Sequence, residues 1–202
     1  MKLAALFGLC LLAAAAPRVT YTKTFPGSNP AYVEITIDPS GEATYKESAD
    51  DDPETLKLRD SETAEIFELA ARLDHFRNPL ESGLKVANLG AKVFRWEDGG
   101  DKHEVKFNYS LDENAKLLYD WFERITESER LFLTLKRAVR HDKLGVNDAV
   151  IAVQAEWNAK RLVGLDQMLP LLDQVANNEI YMHIARERAA QIAEAIRAKG
   201  KS

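Results

Sequence analysis

Cysteine is almost absent from this 202-residue chain: Cys10 stands alone, inside an apolar run near the N-terminus. A single cysteine forms no internal disulfide, so the fold must be held by its packed core. Long apolar runs are equally scarce. Leu3 to Leu12 is the longest, and a bilayer span needs about 20 apolar residues. A basic excess is missing as well, with 27 Lys and Arg against 32 Asp and Glu. Nucleic-acid phosphates demand a basic footprint, so nucleic acid is excluded as the partner. The chain has no G-x-S-x-G elbow, no Walker loop and no G-x-G-x-x-G following a strand. The commonest serine-hydrolase, P-loop and dinucleotide-binding chemistries therefore have no motif to rest on.

What is present begins with a targeting pattern. Lys2 supplies a positive start, Leu3 to Leu12 the apolar segment, and Ala13-Ala14-Ala15-Ala16 small residues suited to cleavage. Residues 1–16 are predicted to be a signal peptide, which makes the mature protein periplasmic or secreted. Pro17 disfavours a cut directly before it, so cleavage after Ala15 is the better site. Leu9 is too bulky for the position before a lipid-modified cysteine, and Cys10 lies inside the apolar run. The mature chain then has no thiol and no predicted transmembrane segment. Charge is uneven along it: residues 17–125 hold 14 basic and 22 acidic side chains, residues 126–202 hold 12 and 10.

The order of periodicities predicts an α+β fold, an antiparallel sheet of two hairpins with two helices, followed by an all-α helical-hairpin region. Residues 17–125 form the α+β module and residues 126–202 a module of about four helices. Pro17 to Pro30, with three prolines, reads as an extended arm. Ala31 to Asp38 alternates with Val33, Ile35 and Ile37 on one face, Asp38-Pro39-Ser40-Gly41 turns, and Glu42 to Glu47 returns with Ala43 and Tyr45 inward. The acidic Ser48 to Glu54 loop lacks the alternating ligands and glycine of a calcium loop. Leu56 and Leu58 fit a short edge strand, and Ser61 fits the N-cap of a helix bearing Ile66, Leu69, Ala70 and Leu73. Leu80 to Leu89 reads as irregular. Ala91 to Trp96 and His103 to Tyr109 form a second hairpin about Asp98-Gly99-Gly100-Asp101. Ser110 and Glu113 suggest a capping box for a helix through Ile125, with Leu111, Leu117, Leu118, Trp121, Phe122 and Ile125 as its apolar stripe. Beyond it, helices are expected at Ser128–His141, Asn147–Leu162, Asp166–Ala176 and Glu179–Ala198.

Within the helical region, Leu169-Pro170-Leu171-Leu172, the Asn177-Asn178-Glu179 break, Ala185-Arg186, Ala189, Ile192 and Ile196 carry a likeness: residues 168–196 resemble a single HEAT-type repeat. The resemblance implies a helical pair suited to packing or partner contact, and no second copy follows at a regular period.

Four histidines, His75, His103, His141 and His183, remain after cleavage. His103-Glu104 does not continue into H-E-x-x-H. His183 with Glu179 and Glu187 at spacings of four reads as an ion-pair ladder on one helix face rather than a metal site. Asp74-His75 and His141-Asp142 are sequence neighbours whose side chains diverge. Trp121 and Trp157 fall on core stripes, whereas Trp96 lies on a hairpin. Trp96, His103 and His75 are thus the candidate binding residues, with no metal, cofactor or catalytic residue assigned. Asn108-Tyr109-Ser110 is a glycosylation sequon in form. The expectation is an exported, non-enzymatic protein-interaction or envelope-associated module whose partner is a protein. The alternative is an exported hydrolase with a scattered carboxylate or histidine site in the α+β module.

Overall fold

The computed structural model describes residues 16–200. The predicted signal segment, apart from Ala16, lies outside the described residues. Six antiparallel strands form one sheet: β1 (Arg18–Thr24), β2 (Tyr32–Ile37), β3 (Glu42–Lys46), β4 (Glu54–Lys57), β5 (Ala91–Asp98) and β6 (Asp101–Phe107), ordered β4-β3-β2-β1-β5-β6. Five helices accompany them: α1 (Asp60–Arg72), α2 (Glu113–His141), α3 (Gly145–Asn158), α4 (Leu169–Ala176) and α5 (His183–Lys199). The fold is α+β with a helical C-terminal region, as the periodicities predict.

The expected N-terminal arm is instead the middle of the sheet. β1 pairs with β2 along one edge and with β5 along the other. Its Val, Thr and Tyr residues favour a pleated, half-buried surface, and this outweighs the prolines on either side, which only bound the strand. Val19, Tyr21 and Lys23 point to the helix-covered face, along with Val33, Ile35, Ile37, Ala43, Tyr45, Phe94 and Trp96. The opposite face carries Thr20, Thr36, Glu34, Arg95 and Glu104, the polar half of the alternation expected of a sheet covered on one side.

Two helix starts differ from expectation. Asp112, not Ser110, caps α2, its Oδ1 accepting from the N–H groups of Asn114 and Ala115 at 2.8 and 3.1 Å. Asp112 lies one residue before the helix, where a carboxylate reaches the free N–H groups, while buried Ser110 accepts from Asp112 N–H. Leu111 and Leu117 are consequently exposed, and Leu118, Trp121, Phe122 and Ile125 alone of the expected stripe meet the sheet. α1 begins at Asp60 with Arg59 as its cap, and Glu62 reaches back to the Arg59 N–H.

α2 runs unbroken for 29 residues through the expected junction near residue 126. Its first half packs on the sheet and α1, and its second half, from Leu131, joins α3, α4 and α5 around a second cluster. Val163, from the chain between α3 and α4, belongs to the sheet-side cluster. α3 ends at Asn158, and α5 begins at His183, so Glu179 lies outside that helix. The expected Glu179-His183-Glu187 ladder is therefore reduced to His183 and Glu187, 3.6 Å apart.

Candidate functional site

At the C-terminal end of β1 the buried face of the sheet meets the first turns of α2. The inward positions of β1 are Val19, Tyr21 and Lys23, and those of β5 are Trp96, Phe94 and Lys92. Register sets Lys23 directly opposite Lys92. Both lysines are buried, with 9% and 4% of their surface exposed. Like charges facing each other across two strands destabilise a sheet, and on a buried face the cost rises with desolvation.

The compensation is incomplete. Glu123, from α2, accepts from Lys23 Nζ through both oxygens, at 2.8 and 3.1 Å. Tyr21 Oη donates to the same carboxylate at 3.3 Å. Lys92 Nζ donates to three backbone carbonyls instead, those of Asn108 at 2.7 Å, Leu89 at 3.2 Å and Gly90 at 3.5 Å. Its ammonium also lies 5.2 Å from the centre of the Tyr119 ring. Burial pushes the Lys92 pKa below the ordinary lysine range, the Lys23 charge adds to that, and Glu123 and Glu81 oppose it. Burial and Glu123 push the phenols of Tyr21 and Tyr119 up.

Lys23, Lys92, Glu123 and Tyr119 line a cleft of about 410 Å³, open to solvent. Phe25, Leu89, Phe107, Ala115 and Tyr119 give it apolar and aromatic walls, and Lys116 stands at its border, paired with Glu113 at 2.7 Å. The volume falls in the range of small-molecule sites, which are mostly apolar with a few convergent polar groups. The irregular 80–90 segment reaches the cleft through Leu89, near its end. Asn108 anchors it, donating to Ala87 O at 2.9 Å and accepting from Leu89 N at 2.7 Å, while Glu81 accepts from Asn108 N. That use occupies the amide of the sequon. Gly90, at φ +90°, closes the segment against Phe25; a Cβ there would lie 2.7 Å from the Phe25 Cβ.

The sequence-derived candidates gather elsewhere, at the far end of β5 and β6. His75 lies against Trp96 with ring centres 4.2 Å apart, and Trp96 pairs across the hairpin with His103. His103 Nε2 lies 2.6 Å from Asp101 Oδ1 and 3.1 Å from Arg77 Nε. Arg77 also joins Asp101 and Asp74. Trp96 is 7% exposed, packed against His75 and Phe67, so its ring is covered rather than open to a ligand. Asp74, His75 and Phe76 all take left-handed backbone angles, with φ of 49°, 49° and 65°, in the turn that places this group. No histidine lines the cleft. Among the described residues, no group of three or more His, Cys, Asp or Glu could hold a metal ion, and no helix is long and apolar enough to cross a membrane.

Sequence reasoning missed Lys23 and Lys92. The signal was available for Lys92: it lies two residues before Phe94 and four before Trp96, on the same inward face of an alternating strand. Lys23 was hidden with the rest of β1.

No protein-family model matches this chain, and no curated protein sequence matches it.

Proposed function

We propose that this is an exported, non-enzymatic binding protein whose cleft takes a small amphipathic molecule. One observation carries the reading: two lysines sit opposite each other on the buried face of a sheet, at the base of an apolar cleft. A core built only for stability would place apolar side chains there. Positions that place charge where packing favours apolar groups are where function is expected. The export half of the proposal rests on the Lys2, Leu3–Leu12 and Ala13–Ala16 pattern. Titration of the isotope-labelled protein with a panel of amphipathic molecules tests the binding half. Amide shifts clustered at Lys23, Leu89, Lys92, Asn108 and Tyr119 are expected. Leu89→Asp, at a side chain 45% exposed, should weaken them at least tenfold without unfolding the protein. Saturable shifts confined to other surfaces would overturn the reading.

A protein partner is the second reading, and a separate observation favours it. Tyr181 Oη bonds the Val139 carbonyl and Arg188 lies 3.5 Å from Asn147, which brings the α4–α5 turn beside the α2–α3 connection. Leu144, Ile180, Met182 and Ile184 are exposed at that end, Leu144 by 82%. Apolar side chains grouped at a bundle end suit contact with another protein, in keeping with the HEAT-like hairpin that supplies three of the four. Charged replacements at Ile180 and Ile184 would abolish such contact and leave the cleft unaffected.

A further inference from the structure

The charges of the cleft select its occupant. Lys23 and Lys92 bring two positive charges into buried surroundings, and Glu123 returns one negative charge. Lys116, also on the lining, is partly exposed and pairs with the still more exposed Glu113, so water screens both charges. Glu81, the other carboxylate acting on Lys92, is exposed to solvent, and its oxygens accept from the N–H groups of Asn108 and Ser82. Water screens it more than the buried Lys23 and Lys92 and the half-buried Glu123, so the interior of the cleft keeps close to one uncompensated positive charge.

Building on the ligand-binding reading, we propose that the cleft binds a free monocarboxylate with an apolar chain, its carboxylate beside Lys23 and Lys92 and its chain along Phe25, Leu89, Phe107 and Tyr119. A single negative charge completes the balance of the site, and desolvated ammonium groups reward a carboxylate more than a neutral polar group. A phosphate ester fits less well. It brings close to two charges where the cleft has about one to offset, and the cleft offers no arginine for bidentate contact. A cationic amphipath meets the wrong sign. The apolar walls account for the chain, since burying each methylene adds favourable transfer free energy.

The test is calorimetric titration of the mature protein with three probes of equal chain length, each kept monomeric: octanoate, 1-octanol and octyltrimethylammonium. Octanoate should bind at least tenfold more tightly than octanol, and the cation should not bind measurably. Lys23→Gln lowers the buried sum to zero and should erase the preference of octanoate over octanol while octanol binding persists. Octanoate affinity should also fall as pH rises through the range in which Lys92 loses its proton. In that range binding should take up a proton, read from the dependence of the heat on buffer ionisation. Equal binding of octanoate and octanol by the unmodified protein would overturn the charge argument and leave the cleft a ligand site. Absence of binding by all three probes would overturn both.

Discussion

Glu129 shows how a single buried side chain sets a pH response. It lies wholly inside α2 where the two cores meet, accepting a hydrogen bond from Gln167 through Oε1. Its Oε2 has no hydrogen-bond partner among the described residues. Burial raises its pKa from the ordinary 4.5 to about 7; the Gln167 bond and Lys136 lower it, and Glu54 raises it. The unfolded chain therefore loses this proton at lower pH than the folded one. Stability from this group is full below about pH 4.5, falls as pH rises, and levels off above about 7. The loss is on the order of 3 kcal/mol across that window, at about 1.4 kcal/mol per pH unit. Glu129→Gln keeps the shape and removes the titration. Denaturant midpoints should show the variant more stable than the parent at pH 8 and level with it near pH 4. A parent whose stability is flat between those values would refute the assignment. Ser128, its neighbour, works differently: its Oγ donates to Arg124 O and accepts from Val163 N, so no polar group there is left unpaired.

At the scale of elements, β1 and α2 carry the architecture. A strand hydrogen-bonded on both sides cannot be removed without exposing two sheet edges. Tyr21 adds to this, stacking on Phe122 at 4.7 Å and meeting Phe94 at 5.9 Å. A chain beginning at residue 17 should fold and melt cooperatively, while one beginning at residue 25 should show no cooperative transition by circular dichroism. A cooperative melt of the shorter chain would mean that β1 is dispensable. The first hairpin was legible because its inward residues, Val33, Ile35, Ile37, Ala43 and Tyr45, alternate strictly. The second was legible because Phe94, Trp96, Val105 and Phe107 outweigh the inward Lys92 and flank a Gly-Gly turn. β1 was not, because prolines flank it on both sides and, with Lys23 inward, only Val19 and Tyr21 remain as its inward apolar signal. The same Lys23 that disguised the strand is half of the candidate site. His75, Trp96 and His103 were found by residue type, and the structure does bring them together, but away from the cleft. Helix boundaries were the weakest part. Residues 126–130, TESER, are polar enough to suggest a break, yet Thr126, Ser128 and Glu129 are buried and bonded within or across the junction.

At the scale of the molecule, α2 couples two cores. The buried residues of the sheet-side cluster end on this helix at Ile125 and those of the helical cluster begin at Leu131, with buried polar residues between and half-buried Leu133 still packed on the sheet side. Further ties cross the same junction. Arg59 holds Asp166 through two nitrogens, at 3.2 and 2.9 Å, Glu62 accepts from Gly164 N at 3.1 Å, and Lys136 meets Glu54 at 2.9 Å. Solvent-exposed ion pairs contribute little each, and the Arg59–Asp166 pair is partly exposed, so the continuous helix should dominate the coupling. Arg130→Pro tests this. Position 130 lies between the cores on a half-buried side, and proline there removes one helical hydrogen bond and clashes one turn back, costing about 3 kcal/mol or more. The parent should unfold in one step, with amide protons of Ile35, Phe94, Val150 and Ile192 exchanging through the same global opening. In the variant, Val150 and Ile192 should exchange separately from Ile35 and Phe94, and two transitions should appear in denaturant. If all four amides of the variant still exchanged together, the polar ties and Val163, seated in the sheet-side core, would be sufficient to couple the halves without the helix.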